Sequence, residues 1–354
     1  MLDCNYSVSI EFYISECEME RKLDKILTRR KTASLCPSFK IVFEWEDIIL
    51  SHLNLSLKYD RKWHHIFFNR FEKNGLTGIF HSLVFPKSSL SLFFVMTAVP
   101  KGACLLNKNT IPVIIDFWLK EEDLTAFYDA YKHSPLVLLT NAEVYEFLKK
   151  NNCLLNIEHW PLSFPDQYKL DRTENYVKEY EFCIFGRPNP FFIRLLNEYC
   201  EKNPDFIYIM NNGDISHRMY ITNKGVFVAE DTGRQSYLEM IRKTKITCYT
   251  TPGLDEAKVE TSQFNQVTPR LFEMLCGGCH VIGHYPDSAD TQYYQLKSIV
   301  PNVDNYEQFE STLNNMRKTP ADISKIKDFM SKHYTSTRLS MLKSILRKYR
   351  ILWN

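Results

Sequence analysis

The sequence predicts an α/β protein of two doubly wound domains facing each other across a cleft. Three observations carry that expectation. Short apolar, β-branched runs alternate with amphipathic stretches of helical length, the pattern of βαβ units around a parallel sheet. The chain has 354 residues, room for two domains. A polar stretch with two prolines and no periodicity, WPLSFPDQYKLDRTEN, interrupts the alternation near the middle. The expected division is a domain over 1–165, a linker over 166–179, a second domain over 180–335, and a terminal helix over 336–354 that packs back on the first domain.

In the first half, KIVFEW (from Lys40) reads as a strand. SLSLFFVMTAV, ended by Pro100 and Lys101, is the most apolar stretch. It falls well short of the ~20 residues of a membrane-spanning helix and reads as a buried strand or core helix. IPVIIDFW (Ile111 to Trp118) is a buried strand, followed in KEEDLTAFYDAYK by a helix with an acidic start. PLVLLT (from Pro135) is the next strand, Asn141 caps the helix NAEVYEFLKK, and LLNIEHW (from Leu154) closes the domain. After the linker, EFCIFG (Glu181 to Gly186) is a buried strand and RPNP opens the helix FFIRLLNEYCEK. The order repeats as FIYIMN, SYLEMIRKTK, ITCYTT, PRLFEMLC and CHVIGHY. The last helix, from about Thr337, carries Leu339, Leu342, Leu346, Tyr349 and Trp353 on one stripe, with Lys343, Arg347 and Arg350 on another face.

Bulk properties narrow the function. Hydrophobic residues make up 44% of the chain, enough for a core in each domain, and the net charge of +2 gives no electrostatic case for nucleic acid as a partner. The ten cysteines are irregularly spaced. The opening MLDCNYSVSIEFYISECEMERK lacks the basic start and apolar run of a secretory signal. Together these point to reduced thiols in a cytoplasmic protein, in which Asn5-Tyr-Ser and Asn54-Leu-Ser are chance matches to the glycosylation pattern. The basic face of the last helix suits either ordinary solvation or peripheral contact with the inner face of an anionic membrane.

Open sheets bind ligands at the carboxyl ends of their strands, so the cleft is where chemistry is expected. Asn189-Pro190 and Thr268-Pro269 each set a capping side chain before a proline at the first helical position. Helix starts present free N–H groups and positive potential, which suit a diphosphate. Arg187 precedes the first start and Arg270 lies just inside the second, where either could pair with phosphate oxygens. Glu273 shares a helix face with Arg270, while Leu271, Phe272 and Leu275 point toward the core. Spacing allows Glu273 either to accept from a ribose diol or to pair with Arg270. Asp116 ends the strand IPVIID at the expected cleft edge and is the candidate base for an acceptor hydroxyl. His64, His65, His81 and His159 are weaker candidates for the same task.

FNQVTPRLFEMLCGGCHVIGHYPD resembles the signature of GT-B glycosyltransferases that share the glycosyltransferase group 1 C-terminal domain. That family carries two glutamates with seven residues between them, the first on the donor sugar and the second on the ribose. Glu273 matches the second position. Asn265 stands at the first and is similar to a subgroup with Asn there, found among spore-protein and polysaccharide-cluster transferases. IFGRPNPFF resembles the family's Gly-Arg turn, whose arginine, here Arg187, contacts the diphosphate, although the lysine that usually follows is absent. CYTTPGLDEAK, with Thr251 and Gly253, is similar to the donor loop. The likeness spans about residues 180–310 and extends to the first half only in layout. It implies two Rossmann-like domains and a donor site of Arg187, Thr251, Gly253, Asn265, Thr268, Arg270 and Glu273. The implied ligands are a nucleotide-sugar and a glycan or lipid-linked oligosaccharide acceptor, with no cofactor and no metal. Polysaccharide synthesis is the implied setting, and Asn265 leaves retention or inversion open.

Cys276-Gly-Gly-Cys279-His280 matches the c-type haem attachment pattern and, with His284, a drawn zinc site. Haem attachment needs export. A zinc site would have to be assembled across a helix end, a turn and a strand. The simpler reading is that Gly277 and Gly278 end the helix with positive φ and allow close approach of backbone. Two alternatives to a transferase stay open: a GT-B-fold sugar-nucleotide epimerase, and a non-catalytic scaffold that retains the cleft. A dinucleotide oxidoreductase is disfavoured, because no G-x-G-x-x-G follows any predicted strand.

Overall fold

A computed structural model describes residues 20–33, 39–59, 89–99, 109–117, 119, 124–170, 176–213, 217–254 and 264–354. His64, His65 and His81 lie outside the described residues.

Among the described residues seven parallel strands build the first sheet. Its path runs from β1 (Arg21–Thr28) through β3 (Ser89–Val95), β4 (Thr110–Ile114) and β5 (Val137–Leu139) to β6 (Ile157–His159). The outer edge of β1 is shared: β2 (Ser56–Tyr59) pairs its second half and β13 (Ile351–Trp353) its first. All five residues of β4 are buried, and six of the seven in β3, as expected for strands covered on both faces. The apolar run at Ser89 is therefore a strand and not a core helix.

Two expectations fail here. KIVFEW is not a strand but part of helix α1 (Phe39–Leu53). Val42, Trp45, Ile49 and Leu53 are buried at three- and four-residue spacing, a helical period that a six-residue window is too short to show. The terminal helix also stops early. The final helix runs from Thr335 to Lys348, Arg350 takes a left-handed φ of 52°, and the chain then enters β13. Trp353, expected on the helix stripe, pairs with Leu23 in the sheet. Of the basic residues in this segment, Arg338 is buried, Lys348 pairs with Glu158, and Arg347 lies over the Trp353 ring. No helix of the described residues is long and apolar enough to cross a membrane.

Between these elements lie α2 (Leu124–Tyr131) and α3 (Ala142–Lys150), on the other face of the sheet from α1. Asn141 caps α3 as expected, accepting from the N–H groups of Glu143 and Val144.

The second sheet has the order β10-β9-β8-β7-β11-β12. Strands β7 (Tyr180–Ile184), β8 (Tyr208–Asn211), β11 (Thr244–Thr250) and β12 (His280–His284) are parallel. A hairpin absent from the sequence reading, β9 (Met219–Thr222) and β10 (Phe227–Glu230), adds two antiparallel strands at one edge. Alternation along β7 sends Phe182 and Ile184 to one core and Cys183 and Phe185 to the other. Helices α4 (Pro190–Lys202) and α8 (Tyr306–Lys318) cover the first face. Helices α5 (Arg234–Lys243), α6 (Pro269–Cys276) and α9 (Ile323–Met330) cover the second, with the short α7 (Ala289–Tyr293) beside them. The final helix, α10 (Thr335–Lys348), packs on α1 of the first sheet.

The Cys-Gly-Gly-Cys-His run closes α6. Cys279 donates its S–H to the carbonyls of Ile241 and Thr244, both at 3.2 Å, and burial pushes its thiol up to about 11. Only Gly278 has positive φ, at 69°. Gly277 has φ of −76°, against expectation, and its bare Cα instead admits the Ile241 side chain, which a β-carbon would overlap. Among the described residues no group of three His, Cys, Asp or Glu side chains is placed to hold a metal.

Candidate functional site

The carboxyl end of β7 carries a turn that leads to a helix start at Pro190, and the chain beyond β11 reaches a second at Pro269. After β7, Gly186 takes φ of 76°, a conformation that favours glycine. A β-carbon there would overlap the Arg270 guanidinium, so Arg270 of α6 lies directly on the Gly186 turn. Arg187 follows and is exposed. Asn189, 5% exposed, caps α4 through Oδ1, which accepts from the Phe191 N–H at 2.7 Å, while its Nδ2 has no partner. Among the described residues no carboxylate pairs with Arg270. The sequence reading brought both arginines to one site, and the structure seats one of them on the other's turn.

The second helix start differs from expectation. Thr268 occupies the cap position of α6 but its side chain makes no cap bond. The Leu271 N–H, which a capping hydroxyl would take, bonds the Thr268 carbonyl in a tightened first turn, and the Thr268 N–H donates to the Tyr249 hydroxyl at 2.9 Å. Thr251 and Asn265 are brought together: the buried Thr251 hydroxyl donates to Asn265 Oδ1 at 2.8 Å. Gly253 lies in the turn just beyond β11. On the opposite domain, Asp116 stands two residues past β4 at the carboxyl edge, half-buried.

Glu273 does not pair with Arg270. It is 7% exposed, and both of its oxygens are engaged by α5: Oε1 accepts from Arg234 Nη1 at 2.6 Å and Oε2 from the Tyr237 hydroxyl at 3.0 Å. Arg234 reaches across to the first domain, where its Nε donates to Glu44 Oε1 of α1 at 2.8 Å. Burial opposes the Arg234 charge, but Glu273 and Glu44 more than offset it, so its pKa is raised. Sequence reasoning missed both partners. Glu44 sits in the helix misread as a strand, and Arg234 precedes the helix start assigned at Ser236. The available signal was Gly233, a glycine of positive φ at the cap position.

The loop before α6 is fastened to the first domain. Phe264 packs edge-on against Phe117 and Phe147. The Asn265 N–H donates to Glu143 Oε2, and the Gln266 amide to the Thr140 hydroxyl, both at 2.8 Å. Asp290 of α7, fully buried, accepts from Ala142 N–H of the first domain at 2.8 Å and from Val267 N–H of the second at 2.6 Å. Burial drives its carboxyl up to about 7 despite these two bonds.

Nearby, Arg338 donates to the Tyr293 hydroxyl and to His333 Nδ1, and His159 packs edge-on against Tyr293. Burial first, and then Arg338, push His333 down to about 3 and His159 to about 4. Both bases stay neutral in the folded protein, so their contribution is full above the ordinary histidine value and is lost as pH falls toward 4. Asp290 has the opposite sign: its raised value removes stability as pH rises from about 4 to 7. His159 and His333 therefore act against Asp290 over the shared window, each removing stability as pH falls from about 6.5 toward about 4.5. His333→Gln should lower the slope of stability against pH by about 1.4 kcal/mol per pH unit, one proton's worth. An unchanged slope in calorimetry would count against a neutral buried His333.

No protein-family model matches the sequence, and no curated protein does. Solved structures do. The N-terminal domain of Candida albicans trehalose-6-phosphate phosphatase aligns with 93% of this chain and 97% of its own, at 8% identity and a TM-score of 0.53. Anabaena HepE, solved in complex with UDP, aligns over 92% of this chain and 100% of its own, at 10% identity and a TM-score of 0.50. TarM aligns with 76% of this chain at 12% identity and a TM-score of 0.50, and 57% of TarM is covered. At such identities the likeness is one of fold, and the two facing α/β domains are those of the GT-B architecture.

Proposed function

We propose that the chain is a glycosyltransferase that moves a sugar from a nucleotide-diphosphate donor to a glycan or lipid-linked acceptor in polysaccharide synthesis. The observation that carries this is Arg270, a cation with no carboxylate partner among the described residues, seated on the Gly186 turn between two helix N-termini. That combination of fork donors, backbone N–H groups and helix potential suits a diphosphate. UDP bound to HepE, a protein of like fold, supports the nucleotide class.

In the reaction the anomeric carbon–oxygen bond breaks with its electrons passing to the diphosphate, and the acceptor oxygen bonds the anomeric carbon. Arg270, Arg187 and the starts of α4 and α6 stabilise the departing charge without calling on a metal. Thr251, Gly253, Asn265 and Thr268 line the donor side, and Glu273 supports it from α6. In an inverting reaction Asp116 takes the acceptor hydroxyl proton. Asn265 donates no carboxylate to the sugar, so either stereochemical outcome fits. Peripheral contact with an anionic membrane through Lys343, Arg347 and Arg350 is no part of this reading, and on that face Arg347 lies over the Trp353 ring.

Thermal-shift measurements with UDP-, GDP-, ADP- and dTDP-sugars test the reading. Stabilisation by one nucleotide class is expected, about 2.7 kcal/mol at a hundredfold excess over Kd. No shift with any of them would return the chain to a non-catalytic scaffold.

A further inference from the structure

Glu44 and Arg234 meet across the domain boundary in a half-made fork. On a guanidinium, Nε and Nη2 form one edge, the edge that usually grips both oxygens of a carboxylate. Here one arm is closed: Arg234 Nε donates to Glu44 Oε1 at 2.8 Å, and the Tyr168 hydroxyl donates to the same oxygen at 2.6 Å. The other arm is open. Arg234 Nη2 and Glu44 Oε2 are buried, and neither has a hydrogen-bond partner. Arg234 cannot swing freely to close the gap, because Nη1 is tied to Glu273 and its guanidinium lies over the Tyr168 ring.

An unmatched donor and an unmatched acceptor on one fork define what fits between them. A carboxylate or phosphate offers acceptors only, and an ammonium offers donors only. A hydroxyl offers one of each: it accepts from Nη2 and donates to Oε2. We propose that Glu44 and Arg234 form a split receptor for one sugar hydroxyl of the nucleotide-sugar donor, half of it supplied by each domain. The inference rests on the donor reading above and refines it. Glu273 acts there as a positioning residue, holding Arg234 by Nη1, and leaves the hydroxyl itself to the fork. Because the receptor is whole only when the two domains meet, the donor hydroxyl also favours the closed arrangement.

The test is calorimetric titration with UDP, GDP and ADP, each beside its 2′-deoxy and 3′-deoxy form, and with UDP-glucose, GDP-mannose and ADP-glucose. The chains compared are wild type, Glu44→Gln and Arg234→Lys. If the ribose supplies the hydroxyl, wild type prefers a ribonucleotide over one deoxy form by about tenfold or more. Both variants reduce that ratio to within about twofold while binding the deoxy form as wild type does. If the transferred sugar supplies it, the ratio that falls is that of nucleotide-sugar over nucleoside diphosphate. Glu273→Gln lowers the same ratio without changing affinity for the analogue that lacks the hydroxyl. Ratios unchanged in both Glu44→Gln and Arg234→Lys would overturn the inference, the gap then being a buried water, and leave the transferase reading standing. Absence of binding by any nucleotide to wild type would overturn both.

Discussion

Arg270→Ala is expected to weaken nucleoside-diphosphate binding about a hundredfold, with the melting temperature of the ligand-free protein nearly unchanged. Fork bonds from a guanidinium to phosphate oxygens are charge-assisted, and losing them removes about 2.7 kcal/mol, a factor of a hundred. The folded state loses little, since among the described residues no carboxylate depends on this guanidinium. Arg270→Lys keeps the charge but not the fork, so it should fall between the two, at about tenfold. Gly186→Ala should act on the same group by another route. Its β-carbon would overlap the guanidinium and its φ of 76° penalises a side chain, so binding and stability should fall together. Titration of the Arg270→Ala protein with the nucleotide found by thermal shift decides the matter, and wild-type affinity there would remove Arg270 from the site.

Asp290→Ala should cost about 3 kcal/mol and loosen the junction of the domains. Its two oxygens accept one N–H from each domain, and Asp290 is completely buried. Truncation leaves the N–H groups of Ala142 and Val267 without partners away from water, and an unsatisfied buried donor costs about 1–3 kcal/mol. Asp290→Asn is no remedy, because its amide would set a donor against one of the two N–H groups. A fall of about 4 °C in melting temperature is the expected size for a chain of this length. Faster proteolysis of the 264–267 loop should accompany it. A melting curve and cleavage rate matching wild type would show that Phe264, Glu143 and Gln266 hold the domains without Asp290.

The second domain was largely legible because its strands are continuous apolar runs with capped helices between them. Asn189 and Pro190 could be read as a helix start because capping depends on neighbours along the chain. The first domain hid its leading strand. In RKLDKILT the charged Arg21, Lys22, Asp24 and Lys25 break any run or alternation around Leu23, Ile26 and Leu27. The site was legible where its residues share a turn of helix or one loop, as Arg270 and Glu273 do. It was not legible where partners come from distant segments. Glu273 finds Arg234, 39 residues earlier, and Asp290 finds Ala142, 148 residues earlier, and no spacing rule reaches that far. Arg187 and Arg270 were both noticed, but the placement of the Arg270 guanidinium on the Gly186 turn depends on the packing of α6 beside β7.

The strand β13 has a consequence for how the molecule is made. It fills half of the β1 edge, yet it is synthesised after every element of the second domain. The second domain is thus an insertion, continuous in sequence, within a discontinuous first domain. During synthesis its strands and helices can assemble as soon as they emerge, while the outer edge of the first half of β1 waits for its partner. A strand made after the second domain thus fastens one made before it.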